Sequence, residues 1–460
     1  MTSFRILALA VLLPLGSLVA RPPNIVMILA DDLGYADLGQ DGSKIDTPNL
    51  DRLATQGVKL RRFYASAPIC SPTRAALLTG RYPHSVGMPE LSSAKQRGNV
   101  PPLSLDHSAV TIPEALKPAG YRSILVGKWH LGASPQDWPR THGFDEFWGS
   151  LIGTPMYWQP EETYHNETPV TPRGYYTDAL TEKAVEYLHQ YNDKDRPFFL
   201  YLAYNAPHYP LEAPARLVYK YRRRFANEGL FAVYAAMVER LDAGIGQVLA
   251  TLDELGIADD TLVVFTSDNG PSPEPNSYGP AGANVSNGPF REYKFSTLEG
   301  GIRVPFIARW PGKIPAGVVR DDAAPVTMDL MPTFLEAAGV KDTGKIELHG
   351  RSILGYLEGG SFHRGEALHW ETQENAATLL DDWKLVERYW MPHPFLYHLT
   401  DDPYEKTDLS EKYPDKVRDL LALHAEWKAR HYPNPIPRHD EVSRYEFPEE
   451  PVSDSKPVGK

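Results

Sequence analysis

The sequence predicts an α/β fold, in which a large, mostly parallel mixed sheet carries helices on both faces. Short apolar runs alternate with amphipathic stretches along most of the 460-residue chain. These runs lack a period of two, which is typical of strands buried on both faces and joined by crossover helices. After about residue 360 the pattern changes to short strands separated by polar turns. This change predicts a smaller C-terminal antiparallel sheet closed by a helix.

Local signals place the elements of the large domain in order. Continuous apolar runs predict strands over residues 24–30, 121–127, 197–205, 261–266 and 304–309. Amphipathic stretches predict helices over residues 48–56, 71–79, 112–119, 177–191, 228–255 and 328–338. Proline in the first turn and glycine after the last turn mark several helix ends, and Ser71 is the predicted N-cap of the second helix.

The chain after residue 360 predicts a separate, smaller unit. Strands are predicted over residues 368–371, 377–387 and 395–400, followed by a helix over 412–431. From residue 432 the chain is rich in proline and charge and poor in apolar residues, which predicts an extended tail. The predicted divisions are therefore a large α/β domain at 21–360, a C-terminal unit at 361–431 and a tail at 432–460.

The first twenty residues, MTSFRILALAVLLPLGSLVA, predict a secretory signal peptide. Arg5 precedes an apolar run and small residues follow it, which is the usual order in such leaders. No other stretch is long and apolar enough to span a bilayer. We expect an exported protein, periplasmic or secreted, and the lack of paired cysteines favours a bacterial periplasm. The net charge of −12 argues against nucleic acid as a partner.

Cys70 is the only cysteine of the chain, and it lies at the start of a predicted helix beside an arginine. Exported proteins that use cysteine usually pair it, and this one has no partner within the chain. Three interpretations stay open on these grounds alone: a buried structural thiol, a reactive thiol, or a residue that is chemically modified.

Two pairs of oxygen-bearing side chains directly follow predicted strands. Asp31 and Asp32 follow NIVMILA, and Asp268 and Asn269 follow TLVVFTS. In open α/β sheets, ligands bind at the carboxyl ends of the strands. Three carboxylates and an amide oxygen suit calcium or magnesium, whereas zinc prefers histidine or thiolate. The alternative for each pair is that it caps a helix or binds water.

Two further strands are followed by basic residues. Lys128 and His130 follow the strand YRSILV, and His208 follows PFFLYLAYN. Side chains two apart at a strand end can point into one cleft. The alternative is an exposed lysine and histidines packed under loops, which would carry no chemistry.

The segment CSPTR at 70–74 fits the Cys-x-Pro-x-Arg signature, and with its continuation AALLTGR it resembles the type I sulfatases. The resemblance continues through PNIVMILADDLGYADLG, GYRSILVGKWHLG, HGFDEFWG, FTSDNG and SNGPFREYKFSTLEGGIRVPFIARWPG, in the order found in that family. It is strongest over residues 24 to about 340 and is similar to the arylsulfatase A and N-acetylgalactosamine-6-sulfatase types. It implies the alkaline phosphatase-like fold and a sulfuric ester hydrolase.

The resemblance also implies a modified nucleophile. The family oxidises the signature cysteine, here Cys70, to formylglycine with a dedicated maturation enzyme. The hydrated aldehyde attacks the sulfur of a sulfate ester, and its second hydroxyl later expels the sulfate. Nucleophilic catalysis is thereby split into two easier steps.

The family's site residues carry over to matching positions of this chain. The implied calcium ligands are Asp31, Asp32, Cys70 as formylglycine, Asp268 and Asn269. Arg74 matches the arginine that holds the nucleophile, and Lys128 and Lys294 match the lysines that grip the sulfate. His130 matches the histidine bonded to the diol and His208 the general acid for the leaving oxygen. Ser150 and Thr154 do not align cleanly with a serine that the family often adds, so that role stays open.

Two other functions stay open beside this interpretation: a phosphate-ester hydrolase of the same superfamily and a non-catalytic exported binding protein. The expected substrate is a sulfated carbohydrate rather than a small aryl sulfate. Aromatic residues suited to sugar rings cluster in one loop, although packing explains them equally well: Tyr157, Trp158, Tyr164, Tyr175 and Tyr176.

Overall fold

The computed structural model describes residues 21–92, 102–193, 196–226, 229–272, 286–341 and 346–435. The predicted signal peptide at 1–20 lies outside the described residues, as does the predicted tail from residue 436 onward. No helix within the described ranges is both long and apolar enough to cross a membrane.

The strands are β1 (Asn24–Ala30), β2 (Val58–Leu60), β3 (Arg122–Gly127), β4 (Glu146–Ser150), β5 (Thr163–His165), β6 (Thr168–Pro169), β7 (Phe198–Ala203), β8 (Thr261–Ser267), β9 (Phe306–Arg309), β10 (Val318–Arg320), β11 (Leu368–Glu371), β12 (Asn375–Leu380), β13 (Trp383–Arg388) and β14 (Phe395–His398). The α-helices are α1 (Pro48–Thr55), α2 (Cys70–Thr79), α3 (Ile112–Leu116), α4 (Tyr176–Gln190), α5 (Ala215–Phe225), α6 (Phe231–Glu254), α7 (Glu299–Ile302), α8 (Leu330–Ala337), α9 (Leu354–Leu357) and α10 (Pro414–His431).

The large sheet has ten strands in the order β10-β2-β9-β8-β1-β7-β3-β4-β5-β6. Its five central strands, from β8 to β4, pair in parallel, and antiparallel strands extend it on both sides. The predicted fold class is therefore confirmed: a mostly parallel mixed sheet with helices, plus a separate four-stranded antiparallel sheet.

The central strand β1 is buried on both faces, which explains its continuous apolar sequence. Val26 and Ile28 pack in one core with α4 and α6, whereas Ile25 and Met27 pack in a second core with α2 and α8. All seven residues of β1 are buried. A strand between two helical layers has no solvent face, so it shows no polar alternation.

The C-terminal sheet runs in the order β11-β12-β13-β14, is antiparallel throughout, and packs against α10. The prediction of one strand over 377–387 was wrong, because the chain turns back between β12 and β13. Leu380 pairs with Trp383, and Asp381 between them has a φ of 54°. Aspartate tolerates this left-handed conformation better than most residues. The boundary near residue 360 stays a prediction.

Two predictions about helices need correction. Ser71 is not the N-cap of α2, because the helix begins at Cys70 and Ile69 occupies the cap position. The Ser71 hydroxyl instead donates to the carbonyl of His130, at 2.8 Å. Helix α5 was not predicted at all. Most of its residues are exposed or half-buried, so its sequence ARLVYKYRRRF lacks the wide apolar stripe of a core helix.

Candidate functional site

Four neighbouring parallel strands end at one edge of the large sheet, and the polar segments of the sequence follow them. The strands are β8, β1, β7 and β3, adjacent in that order. Ala30 at the end of β1 pairs with Ser267 of β8, and Gly127 of β3 pairs with Ala203 of β7. The segments that follow these strands therefore converge, and they carry Asp31–Asp32, Asp268–Asn269, Lys128–His130 and His208.

Arg74 links the second turn of α2 to the carboxylates. Its guanidinium donates twice to Asp268 Oδ2, from Nε at 3.0 Å and from Nη2 at 2.7 Å. Nη1 donates to the carbonyl of Lys128 at 3.2 Å, and Nη2 lies 3.6 Å from Asp31 Oδ2. All these side chains are fully buried. Ion pairs of this kind are strong because little water screens them, and Arg74 therefore fixes α2 against the strand ends.

Two lysines neutralise the carboxylates after β1. Lys128 Nζ donates to Asp31 Oδ2 at 2.6 Å, and Lys294 Nζ donates to Asp32 Oδ1 at 2.7 Å. Burial alone would raise the pKa of Asp31 and of Asp32, but the nearby cations outweigh it and hold both pKa values below the usual range. Both carboxylates are therefore ionised at neutral pH.

Three buried oxygens of this cluster have no hydrogen-bond partner within the described residues: Asp31 Oδ1, Asp32 Oδ2 and Asn269 Oδ1. The amide of Asn269 donates to Asp32 Oδ1 at 2.7 Å, so its oxygen is the free end. Buried polar atoms are normally satisfied, and an unpartnered carboxylate oxygen in the interior is costly. A hard divalent cation would satisfy all three, because carboxylate and amide oxygens are its preferred ligands.

The distances also allow one ion to reach several of these groups. Asp31, Cys70 and Asp268 each offer one ligand atom within 4.8 Å of the others, and Asp31, Asp32 and His208 do the same. The two oxygen-bearing pairs are thus not helix caps, since they face a shared site. The donor set fits calcium or magnesium.

Cys70 begins α2 at the centre of the cluster and is 2% exposed. Its sulfur lies 3.4 Å from Nδ1 of His130. Burial raises the pKa of the Cys70 thiol, although Lys128 and Lys294 oppose the shift. A thiol with a raised pKa is a poor thiolate nucleophile at neutral pH.

His130 occupies a strained backbone position beside Cys70, with a φ of 56°. The Ser71 hydroxyl donates to the carbonyl of His130. A Cβ on Gly153 would lie 2.6 Å from the ring, so the loop after β4 packs closely against the imidazole. Burial, followed by repulsion from Lys128 and Arg74, lowers the pKa of His130 well below its usual value. The imidazole is therefore neutral and able to accept a proton.

His208 lies on the other side of Asp32. Its Nε2 is 3.5 Å from Asp32 Oδ2, and its Nδ1 is 2.5 Å from the carbonyl of Tyr209, which makes Nδ1 the donor nitrogen. Burial lowers the pKa of His208, while Asp32 opposes the shift. An anion bound beside the ring would favour the protonated form.

Lys294 reaches the site on a loop that passes directly over α7. Phe295 N donates to the carbonyl of Pro68 at 2.8 Å, which ties this loop to the segment before α2. A Cβ on Gly300 would lie 2.2 Å from the carbonyl oxygen of Glu292. Glycine is therefore required for the close approach that brings the ammonium of Lys294 to Asp32.

The structure brings all ten predicted site residues to this one edge, and among the described residues no side-chain hydrogen bond joins Ser150 or Thr154 to them. The Ser150 hydroxyl bonds to the main chain of Ile152, and Thr154 is exposed. Tyr157, Tyr175 and Tyr176 are buried, so the packing explanation holds for them. Trp158 differs, because 48% of it is exposed.

Sequence analysis missed Asn205, which follows β7 as Asp31 follows β1. Both polar atoms of its buried amide are unpartnered among the described residues. The signal was present, since Asn205 is the first polar residue after the run FFLYLAY. It also missed that Ser71 supports His130, because the serine was read as a cap.

Comparison with known proteins agrees with this geometry. A family model described as Sulfatase matches residues 23–340. The chain is 33% identical to the N-acetylgalactosamine-6-sulfatase of Mus musculus, over 95% of this chain and 91% of that protein. It is 31% identical to Arylsulfatase J of Mus musculus, over 88% of this chain and 76% of that protein. The crystal structure of Ps i-CgsB in complex with k-i-k-neocarrahexaose superposes with a TM-score of 0.81 at 33% identity, covering 91% of this chain and 94% of that one.

Proposed function

The chain belongs to the sulfatase family of sulfuric ester hydrolases, and from this premise we propose that it removes sulfate from a sulfated carbohydrate. The proposal includes formylglycine at position 70 and a calcium ion at the strand ends. Magnesium is the less favoured ion, because the larger number of oxygen ligands suits calcium.

The observation that carries the proposal is the charge balance around the three open oxygens. Three carboxylates face three cations: Asp31, Asp32 and Asp268 against Arg74, Lys128 and Lys294. A divalent ion on the open oxygens would make the cluster positive by two charges. A protein with a net charge of −12 can then attract an anionic sulfate ester to this point, since buried charges are weakly screened.

Each group has a role that follows from its position. Formylglycine at position 70, when hydrated, supplies an oxygen nucleophile for sulfur, and calcium supplies positive charge beside it. Neutral His130 next to position 70 takes a proton from that side chain. Lys128 and Lys294 bind the sulfate oxygens, and His208 gives a proton to the departing sugar oxygen.

The printed names of the relatives support the substrate class. One similar protein is named for N-acetylgalactosamine 6-sulfate, and Ps i-CgsB was solved with a neocarrahexaose. We infer a sulfated glycan for this chain on the same grounds. Export to the periplasm or outside the cell follows from the predicted leader, and a maturation enzyme in the producing cell would convert Cys70.

The test uses protein made in a host that contains the maturation enzyme. Mass spectrometry of the peptide around Cys70 should find the aldehyde, and calcium-loaded protein should release sulfate from N-acetylgalactosamine 6-sulfate or 4-nitrophenyl sulfate. Cys70→Ala is the matched control and should release none. Faster hydrolysis of the corresponding phosphate esters would favour the phosphatase alternative. Aldehyde with no turnover of any ester would favour a binding protein.

A further inference from the structure

A large cavity lined by aromatic and basic side chains lies outside the candidate site. Its volume is about 1100 Å³, slightly above the range of about 300–1,000 Å³ for small-molecule pockets. The residues that line it are Trp158, Tyr175, Asp178, Pro214, Arg216, Leu217, Tyr219, Lys220, Arg223, Arg224, Glu239 and Arg240. None of them belongs to the ten site residues.

One face of α5 forms a wall of this cavity. Arg216, Tyr219, Lys220 and Arg223 are spaced at i, i+3, i+4 and i+7, so they lie on the same side of the helix. Tyr219 is 64% exposed, and the guanidinium of Arg223 lies 5.9 Å from its ring centroid. Arg222 is exposed on a different side of α5 and does not line the cavity.

The charges of the cavity do not cancel. Five of the lining side chains are basic and two are acidic. Both acids have partners, since Asp178 lies 2.5 Å from Arg240 and Glu239 lies 2.5 Å from Lys220. Asp46, outside the lining, pairs with Lys220 and Arg224, at 2.6 Å each. Arg216 and Arg223 form no ion pair within the described parts of the chain. The cavity is therefore locally positive, although the protein carries a net charge of −12. A local positive potential attracts anionic ligands.

An aromatic surface faces the same space. The ring of Trp158 lies 5.1 Å from that of Tyr175, and the Tyr175 hydroxyl donates to the carbonyl of Glu212 at 2.8 Å. Tyr175 is buried and packs against the indole of Trp158, and about half of Trp158 is exposed. A flat apolar face beside cations suits a ring that carries both C–H groups and anionic substituents.

The loop that carries Trp158 is hydrogen-bonded to the segment that carries His208. Tyr157 precedes Trp158 and donates its hydroxyl to the carbonyls of Asn205, at 2.7 Å, and His208, at 3.0 Å. Glu212 Oε2 accepts from the backbone N–H of Tyr157 at 2.7 Å. The same short segment after His208 leads into α5. The residue before Trp158 and the segment before α5 are therefore both tied to the part of the chain that holds His208.

We propose that this cavity binds further sulfated sugar units of the glycan whose ester is cleaved, with Trp158 stacking on a sugar ring and Arg216 and Arg223 binding sulfate groups. The inference rests on the proposed function, because it names what lies beyond the departing oxygen. It makes the enzyme one that prefers oligomeric, multiply sulfated substrates to single sugars.

Binding tests the surface without turnover. In a calcium-loaded Cys70→Ala background, calorimetry would compare a dextran sulfate hexasaccharide with neutral dextran. Arg216→Ala/Arg223→Ala should bind the sulfated probe about tenfold more weakly or worse, with a shallower salt dependence. Trp158→Ala should lose affinity but keep the salt slope. Arg222→Ala, which removes one charge from another side of α5, should stay within about twofold.

Equal affinity of the parent and the double variant would overturn the inference, as would an equal loss in Arg222→Ala. Kinetic measurements on protein that contains formylglycine at position 70 distinguish failure of the inference about the cavity from failure of the proposed function. The ratio of kcat/KM for a sulfated hexasaccharide to that for 4-nitrophenyl sulfate should fall about tenfold in the double variant. If wild-type protein hydrolyses no sulfate ester, the proposed function fails, and the binding comparison still decides the surface.

Discussion

Two groups of buried charged side chains can be compared in this protein, one at the strand ends of the large sheet and one where α7 meets the C-terminal sheet. In the second group, Lys384 Nζ lies 2.8 Å from Glu299 Oε1 and 2.8 Å from Glu405 Oε1. Glu299 Oε2 also accepts from Tyr64 at 3.0 Å and Arg303 at 3.2 Å. Glu405 Oε2 accepts the backbone N–H of Glu299 at 2.7 Å.

The difference lies in what each group leaves open. In the interface group, both oxygens of Glu299 and Oε2 of Glu405 accept hydrogen bonds. Glu405 Oε1 accepts no hydrogen bond within the described residues, but the ammonium of Lys384 lies 2.8 Å away and neutralises it without a ligand. The site group leaves one oxygen each of Asp31, Asp32 and Asn269 without a partner. Buried charges hold a fold together when they satisfy one another, and they indicate a ligand site when they do not. Substitutions in the two groups should therefore affect different properties.

The largest expected effect is on turnover, from Asp268→Ala. This change removes a carboxylate beside the proposed ion and leaves Arg74 without its closest partner. We expect kcat/KM for 4-nitrophenyl sulfate to fall about 10³-fold or more, which corresponds to about 4 kcal/mol of lost transition-state stabilisation. Asp259→Ala, at an exposed position, is the control and should not change the rate.

Removing the ion should have the same effect without a substitution. Prolonged chelation of wild-type protein should abolish turnover, and calcium should restore it better than zinc. Activity at the wild-type level in Asp268→Ala would rule out the proposed ion site. The two groups of buried charges would then no longer differ in whether their substitution affects turnover or stability.

The next effect separates the two histidines of the site. A sugar oxygen leaves as a poor anion and needs a proton, whereas nitrophenolate is stable without one. His208→Ala should therefore slow a sugar sulfate about 10²–10⁴-fold more than 4-nitrophenyl sulfate. His130→Ala should impair both, because it acts at position 70. Equal losses on both substrates for His208→Ala would assign it to sulfate binding.

In the interface group the expected effect is on stability. Lys384→Met leaves Glu299 and Glu405 buried without their shared cation, which typically costs about 3–5 kcal/mol. Denaturant unfolding should show the loss as a lower midpoint, and calcium should not repair it. Lys313→Met at an exposed position should stay within about 0.5 kcal/mol of wild type. A stable Lys384→Met variant that has lost turnover would contradict the division into two groups.

The smallest expected effect is on the pH dependence of stability, and it concerns a buried histidine outside the site. His84 is buried against Trp427, and its Nε2 lies 3.1 Å from the carbonyl of Glu371. Burial lowers the pKa of His84 to about 4, from an ordinary value of 6.5. The folded state favours the neutral ring of His84. Its contribution to the free energy of unfolding is therefore complete above pH 6.5 and is lost as the pH falls toward 4. The loss is about 3 kcal/mol.

His84→Gln keeps a donor for the carbonyl but does not titrate in this range. Its free energy of unfolding should fall less than that of wild type between pH 6.5 and 4. Chelator-sensitive activity should be retained, because His84 is not part of the site. Parallel pH curves for the two proteins would show that His84 does not titrate on unfolding in this window.

The sequence alone predicted the fold class and singled out the residues that the structure brings together. Runs such as NIVMILA and TLVVFTS are typical of strands between two helical layers, and polar residues that follow neighbouring parallel strands meet at one edge. The resemblance of CSPTR to the sulfatase signature singled out position 70. These inferences depend on local pattern and on the geometry of a parallel sheet, which the chain cannot avoid once it folds.

Only the tertiary structure decided which charges are satisfied. Asp31 and Asp268 are 237 positions apart in the numbering, and so local sequence cannot show that Arg74 bonds one while Lys128 bonds the other. For the same reason the sequence did not predict α5, because its basic face forms a cavity wall only together with Trp158. Pairing energies are decided by side chains that packing brings together across long separations, so the open oxygens and the positive cavity appear only in the folded chain.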